Sequence, residues 1–284
     1  MTGILIVDKP AGWTSQDVTA KLRGVFHERR VGHGGTLDPM ATGVLPVFLG
    51  RATRAVPFFE SAEKEYVAGI RFGIVTDTQD STGQVLETHP VGVTEMQLRT
   101  ALAAMTGPQL QLPPMYSAIK VGGKKLYEIA RKGGTVERAA RPIELFELEL
   151  LSFTGEDAVF RVRCSKGTYI RTVCHDLGQA LGCGGCMTSL RRTAAGGYTA
   201  AQSFPMEEIL AGNAAVLPVE SMFSEYPALT LTAPQEERCR NGNPVRTAAP
   251  DGVYRVFSAD GEFWLLGRAE HGTLYTVRSF FEVD

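Results

Sequence analysis

The sequence predicts an α+β protein with a small β-rich part at its C-terminal end. Segments with apolar residues at helical spacing lie between short apolar or alternating runs, which are typical of strands. Their order is irregular, unlike the regular strand–helix succession of a doubly wound sheet. Beyond about residue 213, short strand-like runs are separated by Asp-Gly and His-Gly turns, which predicts a β-meander or a small barrel.

The elements of the N-terminal half follow from local signals. Ile4–Val7 is an apolar run that ends before Pro10, which predicts a buried strand leading into a turn. Thr14 or Ser15 can cap a helix that continues, with apolar residues at helical spacing, to about His27. The next predicted elements are a glycine-rich loop at 31–43, an apolar run at 44–49, a short helix at about 51–60, a strand at 66–72 and a turn at 76–83.

The later elements are justified in the same way. Thr94 and Gln97 form a capping box for a helix that Gly107 closes. Thr168 or Tyr169 opens an amphipathic helix that ends at Gly182. The remaining predictions are a short basic helix at about 126–130, strands at 143–151 and 158–164, and strand-like runs at 253–257, 263–266 and 274–277.

Length and composition limit the class of protein. At roughly 150 residues per domain, 284 residues predict about two domains. Hydrophobic residues make up 44% of the chain and charged residues 21%, which excludes bulk disorder. No apolar run approaches the roughly 18 residues of a membrane span, and the N-terminus lacks a signal-peptide pattern. Together with an odd number of cysteines, five, this predicts a cytoplasmic protein with free thiols.

Positive charge is concentrated in three segments. Residues 21–54 contain six Lys and Arg against two Asp and Glu, residues 115–142 seven against two, and residues 161–192 six against one. Their net charges are therefore +4, +5 and +5 in a chain whose formal net charge is −2. If the three segments fold onto one side, they form an electrostatic footprint for a polyanion; otherwise they are ordinary solvated faces.

Several familiar motifs are missing from the sequence. The run Val31–Pro39 lacks the Lys-Ser/Thr of a phosphate loop, and it has Leu37 where a dinucleotide fingerprint needs its third glycine. Cys183 and Cys186 form a single Cys-x-x-Cys pair to which His175 could be added, but the His-x-Glu of a zinc deaminase is absent. These motifs give no indication of a bound nucleotide, and the cysteine pair is interpreted as incidental cytosolic thiols in preference to a metal or redox site.

The loop Gly34–Leu45 concentrates residues that suit a reactive site. It contains one acid, one proline, three glycines and two threonines. Glycine permits positive φ and the close approach of another molecule, and Pro39 stiffens the turn directly after Asp38. A carboxylate held in such a loop can act as a nucleophile or a general base, while turn capping is the other interpretation of Asp38.

The same loop resembles a family signature. Its string Gly-Gly-Thr-Leu-Asp-Pro-Met-Ala-Thr-Gly-Val-Leu is closely similar to that of the TruB-type tRNA pseudouridine synthases, and the resemblance extends over about residues 3–220. Such an ordered set is far more specific than one motif. The other matches are Asp8–Ser15, Lys64–Tyr66, Pro114–Ala118, Gly167–Arg171 and Leu190–Thr193.

The resemblance implies a pseudouridine synthase fold, a mixed and largely antiparallel sheet with flanking helices. It implies a catalytic domain at 1–213, with an RNA-gripping insertion at about 113–142, and a small PUA-like RNA-binding domain at 214–284. The implied reaction is the cofactor-free conversion of uridine-55 in the T-arm (TΨC) loop of tRNA to pseudouridine: the base leaves its N1 glycosidic bond, turns and rejoins through C5. A monomer is expected, with tRNA as partner and no obligate protein partner.

The resemblance also implies roles for single residues. Asp38 matches the catalytic aspartate, and Arg171 matches an arginine that pairs with this carboxylate and favours its ionised form. Tyr66 would stack on the extruded uridine, and Tyr169 would be a second active-site tyrosine. Their plain alternatives are an ordinary strand tyrosine at 66 and an exposed helical arginine at 171. The other implied substrate-binding residues are His33 and Leu190.

The basic residues of the insertion are expected to contact the RNA backbone. The predicted RNA-binding residues are Lys9, Lys120, Lys124, Lys125, Arg131, Lys132 and Arg141. The sequence departs from the family at Cys186, which stands where a histidine is common. Two other hypotheses stay open: a non-catalytic tRNA-binding or tRNA-folding factor, and a zinc-dependent base hydrolase that uses Cys183 and Cys186.

Overall fold

A computed structural model describes residues 1–117 and 119–281 of the chain. Ala118, the last residue of the Pro114–Ala118 motif, and residues 282–284 of the predicted C-terminal domain lie outside the described residues. The helices are α1 (Ser15–Val25), α2 (Val56–Phe59), α3 (Glu95–Met105), α4 (Leu126–Ala130), α5 (Ile170–Ala180), α6 (Met206–Leu210) and α7 (Ala233–Arg240), with short 3-10 helices at Gly50–Ala55, Ala200–Gln202 and Val219–Phe223.

The strands alternate irregularly with these helices, as predicted. They are β1 (Gly3–Lys9), β2 (Val31–His33), β3 (Thr42–Leu49), β4 (Lys64–Phe72), β5 (Ile74–Thr76), β6 (Val85–Thr88), β7 (Gly107–Gln111), β8 (Lys120–Val121), β9 (Lys124–Lys125), β10 (Arg141–Phe153), β11 (Asp157–Cys164), β12 (Gly185–Ala195), β13 (Tyr198–Thr199), β14 (Phe204–Pro205), β15 (Ala228–Thr230), β16 (Val245–Arg246), β17 (Gly252–Phe257), β18 (Phe263–Glu270) and β19 (Thr273–Ser279).

The chain divides into two compact units. Residues 1–38, 45–60 and 201–284 form the first unit, and residues 39–44 and 61–200 form the second. The predicted domain boundary at 213/214 stays a prediction. No helix in residues 1–117 or 119–281 is both long enough and apolar enough to cross a membrane.

The first unit contains the N-terminal strands and the C-terminal β-rich part. β1 pairs in parallel with β14, and β2 pairs antiparallel with β3. A five-stranded sheet follows in the order β15-β17-β18-β19-β16, in which only the β15–β17 pair is parallel. Its core includes Val256, Trp264 and Leu265. The β-rich C-terminal part predicted from the turn spacing is therefore confirmed.

The second unit is built on an antiparallel sheet in the order β12-β4-β11-β10-β7. The start of β3 adds a parallel pairing, because Thr42 and Gly43 lie opposite Arg191 and Arg192 of β12. Helix α5 packs on β12 at Gly178, where a Cβ would lie 2.3 Å from the backbone nitrogen of Gly185. The sheet is mixed and largely antiparallel, as expected.

Several of the strands were not predicted, and two of them, β2 and β12, lie next to motifs of the family resemblance. β2 lies inside the segment that the glycines indicated as a loop, and three residues there pair with β3. β12 lies at 185–195, a segment without clear alternation of apolar and polar residues. Its pairing with β4 shifts register between Met187 and Ser189 and again between Arg192 and Ala194. Such bulges interrupt the two-residue period by which strands are recognised.

Candidate active site

Asp38 lies, half-buried, in the loop between β2 and β3. The loop is held by Ser15, in the first turn of α1. The Ser15 hydroxyl accepts a hydrogen bond from the backbone N–H of Leu37 at 2.9 Å and donates one to the carbonyl of Leu37 at 3.3 Å. Because both groups are buried, these bonds fix the backbone immediately before Asp38.

The residues that follow Asp38 are fixed by close contacts within the second unit. Gly43 has φ +99°, and a Cβ there would lie 2.2 Å from the backbone oxygen of Arg192, so only glycine fits. The Arg192 side chain is fully buried, and its Nε donates to the carbonyl of Val44 at 2.6 Å. The sequence motif Leu190–Thr193 gave Arg192 no particular role, whereas the structure places its guanidinium at the exit of the Asp38 loop.

Two further predicted contact residues lie in the first unit. His33 ends β2, with its Nε2 3.2 Å from Nε2 of Gln16. Lys9 is fully buried, and its Nζ donates to the carbonyls of Pro10 at 2.8 Å and Trp13 at 2.5 Å. A buried ammonium that is held by carbonyls of a turn is not presented to an RNA phosphate. The predicted RNA contact of Lys9 is therefore not supported, and the side chain stabilises the turn at 9–13 instead.

Tyr66 and Leu190 are brought to one face of the sheet in the second unit. Leu190 lies opposite Ala68 and Arg192 lies opposite Tyr66 in the β12–β4 pair. Residues that face each other across a ladder point to the same side, so Tyr66 and Leu190 are diagonal neighbours on one face. Both are largely buried, at 8% and 7% exposure. An aromatic ring and an aliphatic side chain arranged in this way suit a planar base.

Tyr169 and Arg171 are brought together at the N-terminal end of α5. Tyr169 is the N-cap residue, and Arg171 is the second residue of the helix. The side-chain amide of Gln111 holds the backbone of Tyr169: its Oε1 accepts from the N–H at 2.8 Å, and its Nε2 donates to the carbonyl at 3.0 Å. Nothing in the sequence singled out Gln111.

Arg171 has a buried acidic neighbour that sequence reasoning missed. Its Nη1 lies 3.7 Å from Oδ2 of Asp80, and the two side chains are only 6% and 7% exposed. Arg171 also donates to the carbonyls of Thr78 at 3.2 Å and Tyr116 at 2.9 Å. The interpretation of Arg171 as an exposed helical arginine is wrong. Its pairing with Asp38 stays a prediction.

The turn that carries Asp80 is stabilised by hydrogen bonds within the turn and by one hydrogen bond from α5. Oδ1 of Asp80 accepts from Oγ1 of Thr78 at 2.8 Å and from the backbone N–H of Thr82 at 3.0 Å. Oγ1 of Thr172 in α5 donates to Oε1 of Gln79 at 2.8 Å. The acidic and hydroxyl residues of this segment predicted a turn from the sequence. They did not indicate that Asp80 would lie next to Arg171 of α5.

The insertion presents positive charge on a defined hairpin. β8 and β9 are joined by Gly122 and Gly123, both with positive φ, as a two-residue type I′ turn requires. The Tyr127 ring lies 5.4 Å from Nζ of Lys125 and 5.3 Å from Cζ of Arg131. The predicted RNA-binding residues of this segment are exposed or half-buried: Lys120, Lys124, Lys125, Arg131, Lys132 and Arg141.

The third basic segment, residues 161–192, does not add a comparable positive surface. Arg161 forms ion pairs with Glu147 and Glu149, and Arg163 pairs with Glu63 at 2.6 Å. Arg171 and Arg192 of the same segment are buried. Much of the +5 read from the sequence is therefore neutralised or buried, and the insertion is the stronger candidate for contact with a polyanion.

The cysteines lack the surroundings of a metal site. All five are free and buried. Residues 1–117 and 119–281 contain no group of three or more His, Cys, Asp and Glu side chains that could hold a metal ion. Cys183 and Cys186 therefore have no further ligand in this part of the chain, which counts against the zinc-hydrolase hypothesis.

These thiols should also be unreactive in the folded protein. Burial raises the pKa of Cys164 to about 11 and raises the pKa of Cys174, Cys183 and Cys186 as well. Because the thiolate is the reactive form, a chromogenic disulfide reagent at pH 8 should react slowly with the native protein and rapidly with five thiols after unfolding in guanidinium. Rapid reaction of two native thiols, and its loss in Cys183→Ser, would contradict this.

Two family models match the chain. The model for the TruB family pseudouridylate synthase N-terminal domain matches residues 23–170, and that for the tRNA pseudouridylate synthase B C-terminal domain matches residues 171–224. The tRNA pseudouridine synthase B of Haemophilus influenzae is 42% identical, covering 97% of this chain and 92% of that protein. The enzyme of the same name from Aromatoleum aromaticum is 44% identical, with the same coverage.

Solved structures share the fold. An H/ACA RNP bound to a substrate RNA containing 2'-deoxyuridine matches with a TM-score of 0.74 and 24% identity, covering 99% of this chain and 86% of that chain. A Cbf5-Nop10-Gar1 complex matches with the same TM-score and coverage at 25% identity. These similarities confirm the expected pseudouridine synthase fold. With the loop around Asp38, the ordered motifs and the two family models in agreement, the chain belongs to the TruB family of pseudouridylate synthases.

Proposed function

We propose that this protein converts uridine-55 in the T-arm (TΨC) loop of tRNA to pseudouridine, with Asp38 as the catalytic carboxylate. The observation that carries the proposal is the loop of Asp38, fixed before the acid by Ser15 and after it by Arg192. The family of the chain and the printed name of its relatives, tRNA pseudouridine synthase B, support the reaction and the RNA class.

The reaction needs a nucleophile and proton transfers, and no redox partner. The bond between C1′ of the ribose and N1 of the base breaks, and a bond between C1′ and C5 forms. C5 loses a proton and N1 gains one, so the product is an isomer of the substrate. The Asp38 carboxylate can act as nucleophile toward the ribose or the uracil ring. The pairing with Arg171 that the family resemblance implies would favour the ionised form that this role requires.

Tyr66 and Leu190 are proposed to receive the extruded uridine. Taking a base out of a folded loop costs roughly a few kcal/mol, and stacking on an aromatic ring returns about 1–3 kcal/mol per base. Their neighbouring positions on one sheet face support this role. Tyr169 would lie at the base, held by Gln111, and His33 would contact RNA near the flipped nucleotide.

The insertion is proposed to grip the backbone of the tRNA. Lys125 and Arg131 lie at the Tyr127 ring, and acids are few in this segment. The PUA-like role of the C-terminal β-rich part, the domain limits 1–213 and 214–284, a monomeric state without an obligate protein partner and a cytoplasmic location belong to the same proposal.

Replacing Lys124 and Lys132 by alanine should weaken binding of a tRNA transcript. Each lost phosphate contact should reduce the magnitude of the negative slope of log binding constant against log salt concentration by about one. Turnover at saturating RNA should stay unchanged. Binding measured at several salt concentrations gives both quantities. Arg99→Ala is the matched control, because this exposed cation already pairs with Glu95 at 2.7 Å. An unchanged salt slope in the lysine variants would remove the insertion from the RNA contact.

The test of the function is a map of the modified site. Purified protein is incubated with an unmodified tRNA transcript, and pseudouridine is located by chemical mapping. We expect pseudouridine at position 55 and none in a transcript with cytidine there. A product at another position, or no product, would overturn the proposal. If binding or tRNA folding is retained without any product, the non-catalytic factor is the correct function instead.

A further inference from the structure

We propose that Gln111 is a positioning residue that sets the place of Tyr169 and Arg171 during the reaction. The inference rests on the proposed function, since it assumes that these two residues act on the uridine. Gln111 is the last residue of β7 and is only 4% exposed. Its amide uses its donor and its acceptor on the backbone of one residue, Tyr169.

The contact satisfies one of the N–H groups that the start of a helix leaves without an intrahelical partner. A helix start leaves backbone N–H groups without intrahelical partners, and Ser, Thr, Asp or Asn normally caps it. The N-cap residue of α5 is Tyr169, whose side chain makes no capping hydrogen bond. Its carbonyl accepts from the N–H of Val173 at 3.1 Å as well as from Gln111. Gln111 therefore holds the first turn of the helix from outside.

Two hydrogen bonds to the backbone of one residue define an orientation as well as a distance. A single bond would let the helix start rotate about the contact, whereas the paired donor and acceptor of an amide resist that rotation. Arg171 lies two residues after Tyr169, so fixing the backbone of Tyr169 also fixes the part of the helix from which the Arg171 side chain extends. A functional group must be held within roughly 0.5 Å of its productive position by packed and hydrogen-bonded support.

Gln111 also links this helix end to the insertion. It stands two residues before Pro113, the first residue of the insertion. A second link comes from within the insertion, because Nη2 of Arg171 donates to the carbonyl of Tyr116 at 2.9 Å. The base of the RNA-gripping segment and the start of α5 are thus tied at two points.

The first test compares two identical substitutions on one strand. Gln111→Met keeps the length of the side chain and removes both hydrogen bonds. Gln109→Met is the matched control, since its amide donates to the carbonyl of Met105 at the end of α3 and not to α5. We expect the single-turnover rate on a tRNA transcript to fall on the order of 100-fold in Gln111→Met, as for a misplacement of about 1 Å. The Kd for the transcript should stay unchanged, as should both quantities in Gln109→Met.

The second test uses pH. In Gln111→Glu, an ionised carboxylate can accept from Tyr169 N–H but cannot donate to its carbonyl, whereas the protonated acid can do both. The rate of Gln111→Glu relative to the wild type should therefore rise as the pH is lowered. A side chain that only fills space would give a flat ratio, and a flat ratio would overturn the inference.

The outcomes separate this inference from the proposed function. If the wild type makes no pseudouridine, the proposed function fails whatever Gln111 does. If the wild type is active and Gln111→Met matches Gln109→Met in rate, the positioning role is wrong. A loss that appears in Kd instead of the rate would also overturn it. If Gln111→Met does not fold, the pH ratio of Gln111→Glu decides the question.

Discussion

Asp38→Asn should lower the single-turnover rate of pseudouridine formation by at least about 1000-fold, as expected when a nucleophile is removed. The amide has nearly the size of the carboxylate but can neither attack carbon nor accept a proton at neutral pH. The loop should keep its shape, because its fixing bonds come from Ser15 and Arg192. The rate is measured on an unmodified tRNA transcript, with the Kd measured in parallel.

Binding is the internal control for this variant. An unchanged Kd shows that the loop and the RNA interface are intact, so that the loss belongs to the chemical step. Thr36→Ala, an exposed residue of the same loop, should leave the rate close to that of the wild type. If Asp38→Asn turns over as fast as Thr36→Ala, another residue carries the reaction.

Asp80→Asn is expected to have the second-largest effect, and it should act on stability as well as rate. Asn can still accept from Thr78 and Thr82, so the turn is retained, but the charge opposite Arg171 is lost. Removing one partner of a buried ion pair typically costs about 3–5 kcal/mol, because the other charge stays buried. The free energy of unfolding from urea titration should fall by that order, and the turnover rate should fall with it because Arg171 loses its orientation.

The matched control is an exposed pair of the same two residue types. Asp157 lies against Arg71, with side chains 41% and 45% exposed. Exposed pairs contribute about 0–1 kcal/mol, so Asp157→Asn should lower the free energy of unfolding by no more than that and leave turnover unchanged. Equal losses in the two variants would mean that the burial of Asp80 and Arg171 has no energetic consequence.

Local structure could be predicted where its cause is local. The capping box of Thr94 and Gln97 closes within four residues, and the structure has both of its hydrogen bonds. The turn-separated strands of the C-terminal part were predicted for the same reason. The glycine-rich loop at 31–43 was predicted only in part, because the pairing of β2 with β3 overrides the preference of its glycines.

The supporting residues of the site could not be predicted in this way. The ordered motifs gave Asp38, Tyr66, Tyr169 and Arg171 through a family resemblance, without their surroundings. Asp80 stands 91 positions before Arg171, and Gln111 contacts Tyr169 across 58 positions. No periodicity relates residues at such separations, because their contact depends on the packing of whole elements.

The close contact of Gly178 with β12 fixes the distance between α5 and the sheet at one point. The backbone of α5 packs directly on the backbone of residues 184 and 185 at Gly178, so no side chain there can change rotamer to make room for a larger residue. From Gly178 to the start of the helix at Ile170 is roughly 12 Å at about 1.5 Å per residue. A methyl group added at Gly178 would push α5 away from β12 at this point and displace the N-terminal end of the helix. A position that never meets the RNA can thus be as intolerant of change as the residues that do.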